Sequence, residues 1–231
     1  MKPILEKIRD KVLHRLVRIQ FPHEIRMADQ KHREDVVSQL PRVALETRHI
    51  ENCQILLNRK IMLQKIGQRD MVAELGVNQG DFSQEILNIS RPAVLHLVDI
   101  WGSERFHEGL FNEVQDKFKT EIERQAVRIH RKLSTEAASD FEDEYFDMIY
   151  IDTDHSYNTT RDELTAYSTK VKSDGIIAGH DYSMGNWIKA YRYGVIEAVH
   201  EFCIKYNWEI LYLTADTLES QSFAIRRIVK D

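Results

Sequence analysis

Chemistry is concentrated at three points of this 231-residue chain. Glu74 lies within MVAELGVNQGDFSQ, Met71 to Gln84, where a short apolar run meets two glycines, Gly76 and Gly80, four positions apart. The apolar run FDMIYID, Phe146 to Asp152, opens onto Asp152, Asp154 and His155, which place two carboxylates and an imidazole within four residues. A third run, GIIAG from Gly175 to Gly179, leads into His180 and Asp181. The carboxylates of Asp152 and Asp181 suit a hard divalent ion such as Mg²⁺. The imidazole of His180 extends the choice to Mn²⁺ or a zinc-like ion. An ion there could hold a substrate hydroxyl and lower its pKa, leaving Asp154 or His155 to take the proton. The plainer alternative is that an Asp, His and Ser cluster after a strand only caps the next helix.

Positioning these groups requires an α/β framework. Met71 to Leu75 has the short, continuous apolar character of a buried parallel strand, Gly76 to Gly80 that of a tight turn, and Asp81 to Ile89 that of a helix. Strand, turn and helix in this order form the nucleotide-binding corner of an open α/β sheet. A dinucleotide fold would spell the turn G-x-G-x-x-G. Here it reads E-L-G-V-N-Q-G, with Val77 and Asn78 inside the turn and no middle glycine. The carboxylate of Glu74 before the turn suits a ligand with a cationic part better than a diphosphate, and the absent G-x-G-x-x-G argues against a nicotinamide oxidoreductase.

The strand Val94 to Asp99 ends in an acid 19 residues past Gly80, where a carboxylate can accept hydrogen bonds from ribose hydroxyls. Trp101 either covers an adenine face or packs against the strand end. A charged helix over Glu113 to Gln125 and a strand over Val127 to His130 follow. In the polar loop and short helix from Ser134 to Phe141, Ser134 either reaches the adenine or caps the helix. Beyond the central strand come a helix over Glu163 to Val171, the GIIAG strand, a helix over Ile196 to Tyr206, and closing strands over Trp208 to Thr214 and Ser222 to Ile228. The expectation is a Rossmann-like, seven-stranded, mostly parallel sheet with helices on both faces. Ligands bind outside the carboxyl ends of such strands, so Asp99, Asp152, His180 and Asp181 should converge beside the glycine turn. Between Met184 and Tyr193, Trp187, Tyr191 and Tyr193 either form a lid or pack against the sheet.

The first third reads as a helical preface, residues 1–68, to a catalytic domain, 69–231. Up to about residue 21, basic and apolar residues alternate at helical spacing, giving a face for the protein's own domain, a second subunit or an anionic membrane surface. Pro22 and the polar stretch Met27 to Arg33 interrupt that pattern. Pro41 opens a second helical region whose apolar face runs to Ile66, with Gly67 as its C-cap. Composition is that of a globular protein, 42% hydrophobic and 30% charged, and the net charge of −5 argues against a dedicated nucleic-acid surface. Cys53 and Cys203 form no metal-spaced pair and read as reduced core thiols. No run approaches the ~18 apolar residues of a membrane span, and the N-terminus lacks an apolar signal core, so a cytoplasmic protein is expected.

Taken in order, ELGVNQGDFS, VDIW, YIDTDHSYNTTRDEL, SDGIIAGHDY and YGVIEAVHEF resemble the class I S-adenosylmethionine-dependent methyltransferases, in particular the bacterial type 24 group. That group is similar to catechol and to macrolide or aminocoumarin sugar O-methyltransferases. The resemblance spans about residues 50 to 205. It implies a sheet whose last strand is antiparallel and cofactor contacts at Glu74, Gly76, Val77, Asn78, Gly80 and Asp99, with Trp101, Ser134 and Asp152 nearby. It also implies metal ligands at Asp152, His180 and Asp181, with Asp154 as general base and His155 in reserve. Two departures stand out: His180 occupies the place of an acid and Thr153 that of a glycine. The reading is therefore a methyltransferase acting on a hydroxyl of a small-molecule acceptor (sugar, polyketide or phenol), assisted by a divalent metal and homo-oligomeric. Its rivals are a metal-independent enzyme using His155 or His180 as base, and a non-catalytic cofactor-binding module.

Overall fold

The computed structural model describes residues 22–102, 107–186 and 191–229. The chain divides into two compact units, Met1–Pro41 and Arg42–Asp231. In the first unit the described element is α1 (Pro22–Ser38). The amphipathic helix expected up to residue 21 lies outside the described residues. Met27 to Arg33 is part of α1, whereas its polarity had suggested an interruption. Pro22 stands at the first helical position, where its missing N–H has no intrahelical partner to lose.

The second unit opens with β1 (Gln54–Leu56), α2 (Arg59–Ile66), β2 (Met71–Leu75), α3 (Asp81–Ser90) and β3 (Val94–Asp99). It continues with α4 (Glu108–Lys117), α5 (Lys119–Glu123), β4 (Val127–Arg131), α6 (Ser134–Ala137) and β5 (Phe146–Ile151). Next come α7 (Tyr157–Ser168), β6 (Val171–Gly179) and a small pair, β7 (Gly185–Asn186) and β8 (Tyr191–Arg192). The chain closes with α8 (Val195–Tyr206), β9 (Trp208–Thr214) and β10 (Phe223–Arg227). Among the described residues, eight strands form one sheet in the order β1-β9-β10-β6-β5-β2-β3-β4. β10 runs antiparallel to both its neighbours, and the remaining pairs are parallel.

One strand more is present than the seven expected, and it comes from the supposed helical preface. β1 pairs in parallel with β9, from Gln54 opposite Tyr212 to Leu56 opposite Thr214. The helix expected from Pro41 to Ile66 is thus restricted to α2. Asn58 starts it in an extended conformation, its side chain accepting from Ile61 N at 3.0 Å. The apolar positions before it obey a period of two: Ile55 and Leu57 are exposed and Leu56 is buried. Gly67 does close α2, at φ +80°. The sheet-bearing unit accordingly begins at Arg42 and not at residue 69.

Successive strand residues face opposite layers. Val72, Leu95, Leu97, Met148 and Tyr150 pack with Met62 and Leu63 of α2, Ile86 of α3 and Val114 of α4. Ala73, Leu75, Ile149, Ile151 and Ile177 pack with Leu164 and Tyr167 of α7 and Val199 and Phe202 of α8. Both faces of the central strands are buried, which is why β2, β3 and β5 carry nearly continuous apolar runs.

Candidate active site

The glycine turn is built by close approach. Gly76 adopts φ +84°, and a Cβ there would stand 2.1 Å from the carbonyl oxygen of Asp152, so only glycine lets the turn lie against the end of β5. Gly76 N–H donates to Val98 O at 2.9 Å, and Asp152 N–H to Leu75 O at 2.8 Å. The turn is thereby fastened to both neighbouring strands. Asn78 at φ +53° and Gly80 at φ +72° complete it.

Asp99 joins this turn from the end of β3. Its Oδ2 accepts from Val77 N–H at 2.9 Å and from Asn78 N–H at 3.0 Å, and its Oδ1 from Trp101 N–H at 3.2 Å. Trp101 is wholly buried, its Nε1 donating to Asn78 O at 3.0 Å. It packs against the turn, with its ring tilted on that of Phe111 at 5.3 Å between centroids. Glu74, on the face of β2 that meets α3, is also buried, and accepts from Ser83 Oγ. Burial pushes its carboxyl up to about 8, against the opposing effect of that hydrogen bond. Burial thus favours the neutral form of Glu74, where the sequence had suggested a standing anion.

Ser134 Oγ donates to Glu163 Oε1, and Thr153 Oγ1 to Glu163 Oε2 at 3.0 Å. The residue before α6 is Leu133, so the helix-cap role considered for Ser134 is not realised. Burial raises the Glu163 carboxyl to about 7, partly offset by the two hydroxyl donors. Glu163 escaped the sequence reading, yet a signal existed. Thr160, Glu163, Leu164 and Tyr167 recur at helical spacing, and all four are buried on one face of α7.

Beyond β5 and β6 lies a second cluster. Ligand atoms of Asp152, His155 and Asp181 all fall within 4.8 Å of one another. His155 Nε2 is 3.1 Å from Asp181 Oδ2. His180 directs Nδ1 at the same carboxylates, 3.8 Å from Asp152 Oδ2 and 3.6 Å from Asp181 Oδ2, so the two imidazoles flank one pair of acids. His155 sits at φ +63° with its ring 5.0 Å from that of Tyr193, which in turn contacts Tyr191. Of the three aromatics of the proposed lid, Tyr193 is buried, Tyr191 is exposed and Trp187 lies outside the described residues.

The charges in this cluster are uneven. Burial raises the Asp152 carboxyl, although His180, His155 and Arg59 all act to lower it. Burial would raise Asp181 too, but hydrogen bonds from His180 and Ser220 hold it below the usual carboxylate range. Burial alone would lower His180, but Asp181 and Asp152 raise it overall. Asp154 stands apart. Its Oδ1 accepts from Ser156 N–H and its Oδ2 from Thr159 Oγ1, each at 2.9 Å, while Ser156 caps α7. Ser156 is thus the cap of α7 and Asp154 is held by its N–H and by Thr159, whereas Asp152 and His155 face the cluster.

Arg59, the first residue of α2, also escaped the sequence reading, and no local signal marks it. Its Nη1 is 3.7 Å from Asp152 Oδ2, its Nε 2.8 Å from Glu219 Oε2, and its Cζ 4.3 Å from the centre of the Phe82 ring. The arrangement joins an anion-capped glycine turn to a carboxylate and imidazole cluster across the end of β5. Such a site can bind a nucleoside-like ligand on one side and manage a proton on the other.

A family model described as a methyltransferase domain matches residues 73–182. No curated protein matches the sequence. Among solved structures, the pyocyanin biosynthetic protein PhzM aligns at 11% identity and a TM-score of 0.53, over 72% of this chain and 54% of that one, so the chain spans about half its length. The M1A22 tRNA methyltransferase TrmK of B. subtilis aligns at 13% identity and a TM-score of 0.52, over 75% and 67% of the two chains. A SAM-dependent methyltransferase from Aquifex aeolicus aligns at 12% identity and a TM-score of 0.54, over 74% and 89%. At these identities the likeness is one of fold.

Proposed function

We propose, from the match of residues 73–182 to a methyltransferase-domain model, that the protein is a class I S-adenosylmethionine-dependent methyltransferase that methylates a hydroxyl of a small-molecule acceptor. The observation that carries this reading is the pairing of His155 Nε2 with Asp181 Oδ2 at 3.1 Å, inside a cluster that reaches the glycine turn through Asp152. The bound cofactor supplies an electrophilic methyl group on a sulfonium. The turn residues Gly76 to Gly80 and Asp99 hold its nucleoside, and Glu74 faces its cationic amino-acid end. Asp152 and Asp181 orient the acceptor oxygen in line with the methyl, so that much of the acceleration comes from orientation. Proton removal falls to an imidazole. His155 suits the task better than His180, because its side chain is 23% exposed against 13% and can pass the proton to solvent. Asp154, engaged by Ser156 N–H and Thr159 Oγ1 at the start of α7, is not needed as the base.

The donor set fits a divalent ion: two carboxylates and an imidazole, with oxygens for Mg²⁺ and a nitrogen that admits Mn²⁺. Asp152, Asp181 and His180 would hold it, and it would supply positive charge to stabilise the acceptor's oxygenate. A second, metal-independent reading has one observation in its favour. Arg59 Nη1, 3.7 Å from Asp152, already places a cation beside that carboxylate. Release of S-adenosylhomocysteine, measured with phenols, sugars and polyketide alcohols, with Mg²⁺ or with chelator, tests both. Turnover is expected with a hydroxylated acceptor and should fall at least ~10-fold with chelator. His155→Ala should lower kcat ~10²-fold or more, while Asp154→Asn changes it by less than about threefold. Methylation confined to amines or to RNA would contradict the hydroxyl assignment, and chelator-insensitive turnover would select the metal-independent reading.

A further inference from the structure

Arg59 takes no part in holding the cofactor in the scheme above. Arg59 lies outside the segment that matches the methyltransferase family, and its side chain is 22% exposed. Three contacts fix it at the mouth of the glycine turn. It stacks over Phe82, in the first turn of α3, with Cζ 4.3 Å from the ring centre. It bonds through Nε to Glu219 at 2.8 Å and lies near Asp152, whose nearest oxygen at 3.7 Å is beyond hydrogen-bond range. It is also hydrogen-bonded to the buried Tyr150 hydroxyl and close enough to Glu74 to act on its titration.

Glu219 is a poor permanent partner. Its side chain is 46% exposed, and it belongs to the turn between β9 and β10. A guanidinium presents donors in a planar fork that matches a carboxylate bidentately. Here, among the described residues, it meets one carboxylate within hydrogen-bond distance, and through a single nitrogen. Glu219 therefore has the character of a stand-in for a ligand carboxylate. The amino-acid end of S-adenosylmethionine carries one ammonium and one carboxylate; Arg59 is a cation for the carboxylate, and Glu74 is an acid for the ammonium.

We propose that Arg59 is the carboxylate clamp of the cofactor site, its guanidinium taking the α-carboxylate of S-adenosylmethionine in exchange for Glu219 while Glu74 faces the ammonium. This rests on the cofactor assignment above and adds a residue to it. The test is calorimetric titration of the full chain with two ligands, S-adenosylhomocysteine and 5′-methylthioadenosine, the second lacking the amino-acid end. Arg59→Met should weaken S-adenosylhomocysteine at least tenfold and leave 5′-methylthioadenosine within twofold. Arg59→Lys, which keeps the charge and loses the fork, should recover part of the loss. Glu219→Gln, which removes the competing carboxylate, should tighten S-adenosylhomocysteine two- to fivefold. Equal weakening of both ligands in Arg59→Met, or unchanged or weaker binding in Glu219→Gln, would overturn the inference. Wild-type protein that binds neither ligand would contradict the cofactor assignment itself, and that outcome is separate from any effect of the variants.

Discussion

Two buried acids dominate the behaviour of individual residues. Burial holds Glu74 up at about 8 and Glu163 up at about 7, against an ordinary value of 4.5 for both. Each binds its proton more tightly in the folded chain than in the unfolded one. Their contribution to stability is therefore complete below about pH 4.5 and is lost as pH rises through 7 to 8. For Glu163→Gln, which cannot ionise, the melting temperature relative to wild type should become more favourable from about pH 5 to about pH 7 and level off above that. A difference independent of pH would show that the Glu163 proton is not coupled to folding. At Glu74 a cationic ligand should favour the ionised form, so S-adenosylhomocysteine binding at pH 7 should release a proton. Calorimetry in two buffers of different ionisation enthalpy measures that release, and equal heats in both would contradict it. The strand-end acids Asp99, Asp152 and Asp181 were legible in the sequence because each follows an apolar run. Arg59 and Glu163 were not, since their roles depend on partners distant in the chain, such as Glu219 and Ser134, and spacing along a sequence does not show which side chains face each other.

The elements matter through the places where backbone meets backbone. Gly76 must remain glycine, both for its φ of +84° and because a Cβ would stand 2.1 Å from Asp152 O. Gly76→Ala is expected to cost more than about 2 kcal/mol and to abolish cofactor binding, read by denaturant unfolding and by titration. Near-wild-type values for both would refute the role given to the turn. At the start of α7, where the Ser156 side chain accepts from Thr159 N–H at 3.2 Å, Ser156→Ala should cost about 1 kcal/mol. The sequence located β2, β3, β5 and β9 well, because strands buried on both faces have an unmistakable apolar character. It mistook β1 for helix. Cys53, Leu56 and Leu57 fit a helical face as well as a strand, and three residues are too few for the period-two alternation to prevail. The junction at Asn58 is decided by one side-chain cap, the bond to Ile61 N–H.

Across the whole molecule, the division at Pro41 and Arg42 leads to a truncation experiment. Residues 42–231 should fold cooperatively and bind the cofactor. A chain starting at residue 69 should not fold, since it lacks β1 and the fully buried Met62 and Leu63 of α2. If the shorter chain melted like the longer one, β1 and α2 would be dispensable additions to the sheet. The expected homo-oligomer can be examined with the same pair of proteins. Light scattering should find the full chain dimeric and residues 42–231 monomeric if the first unit supplies the contact. No described helix is long and apolar enough to cross a membrane. At this scale the alternation of strands and helices conveyed the fold class, and the family resemblance supplied the antiparallel last strand, which β10 is. The acceptor left no comparable mark, since a hydroxyl can be met by many arrangements of the same acids and imidazoles.

The most direct test of the account is titration of the wild-type full chain with S-adenosylhomocysteine, with Mg²⁺ and with chelator, beside an NADH control. Micromolar binding in both buffers, with none to NADH, is the predicted result. A folded protein that binds S-adenosylhomocysteine in neither buffer would contradict the assignment of the glycine turn and, with it, the methyltransferase function.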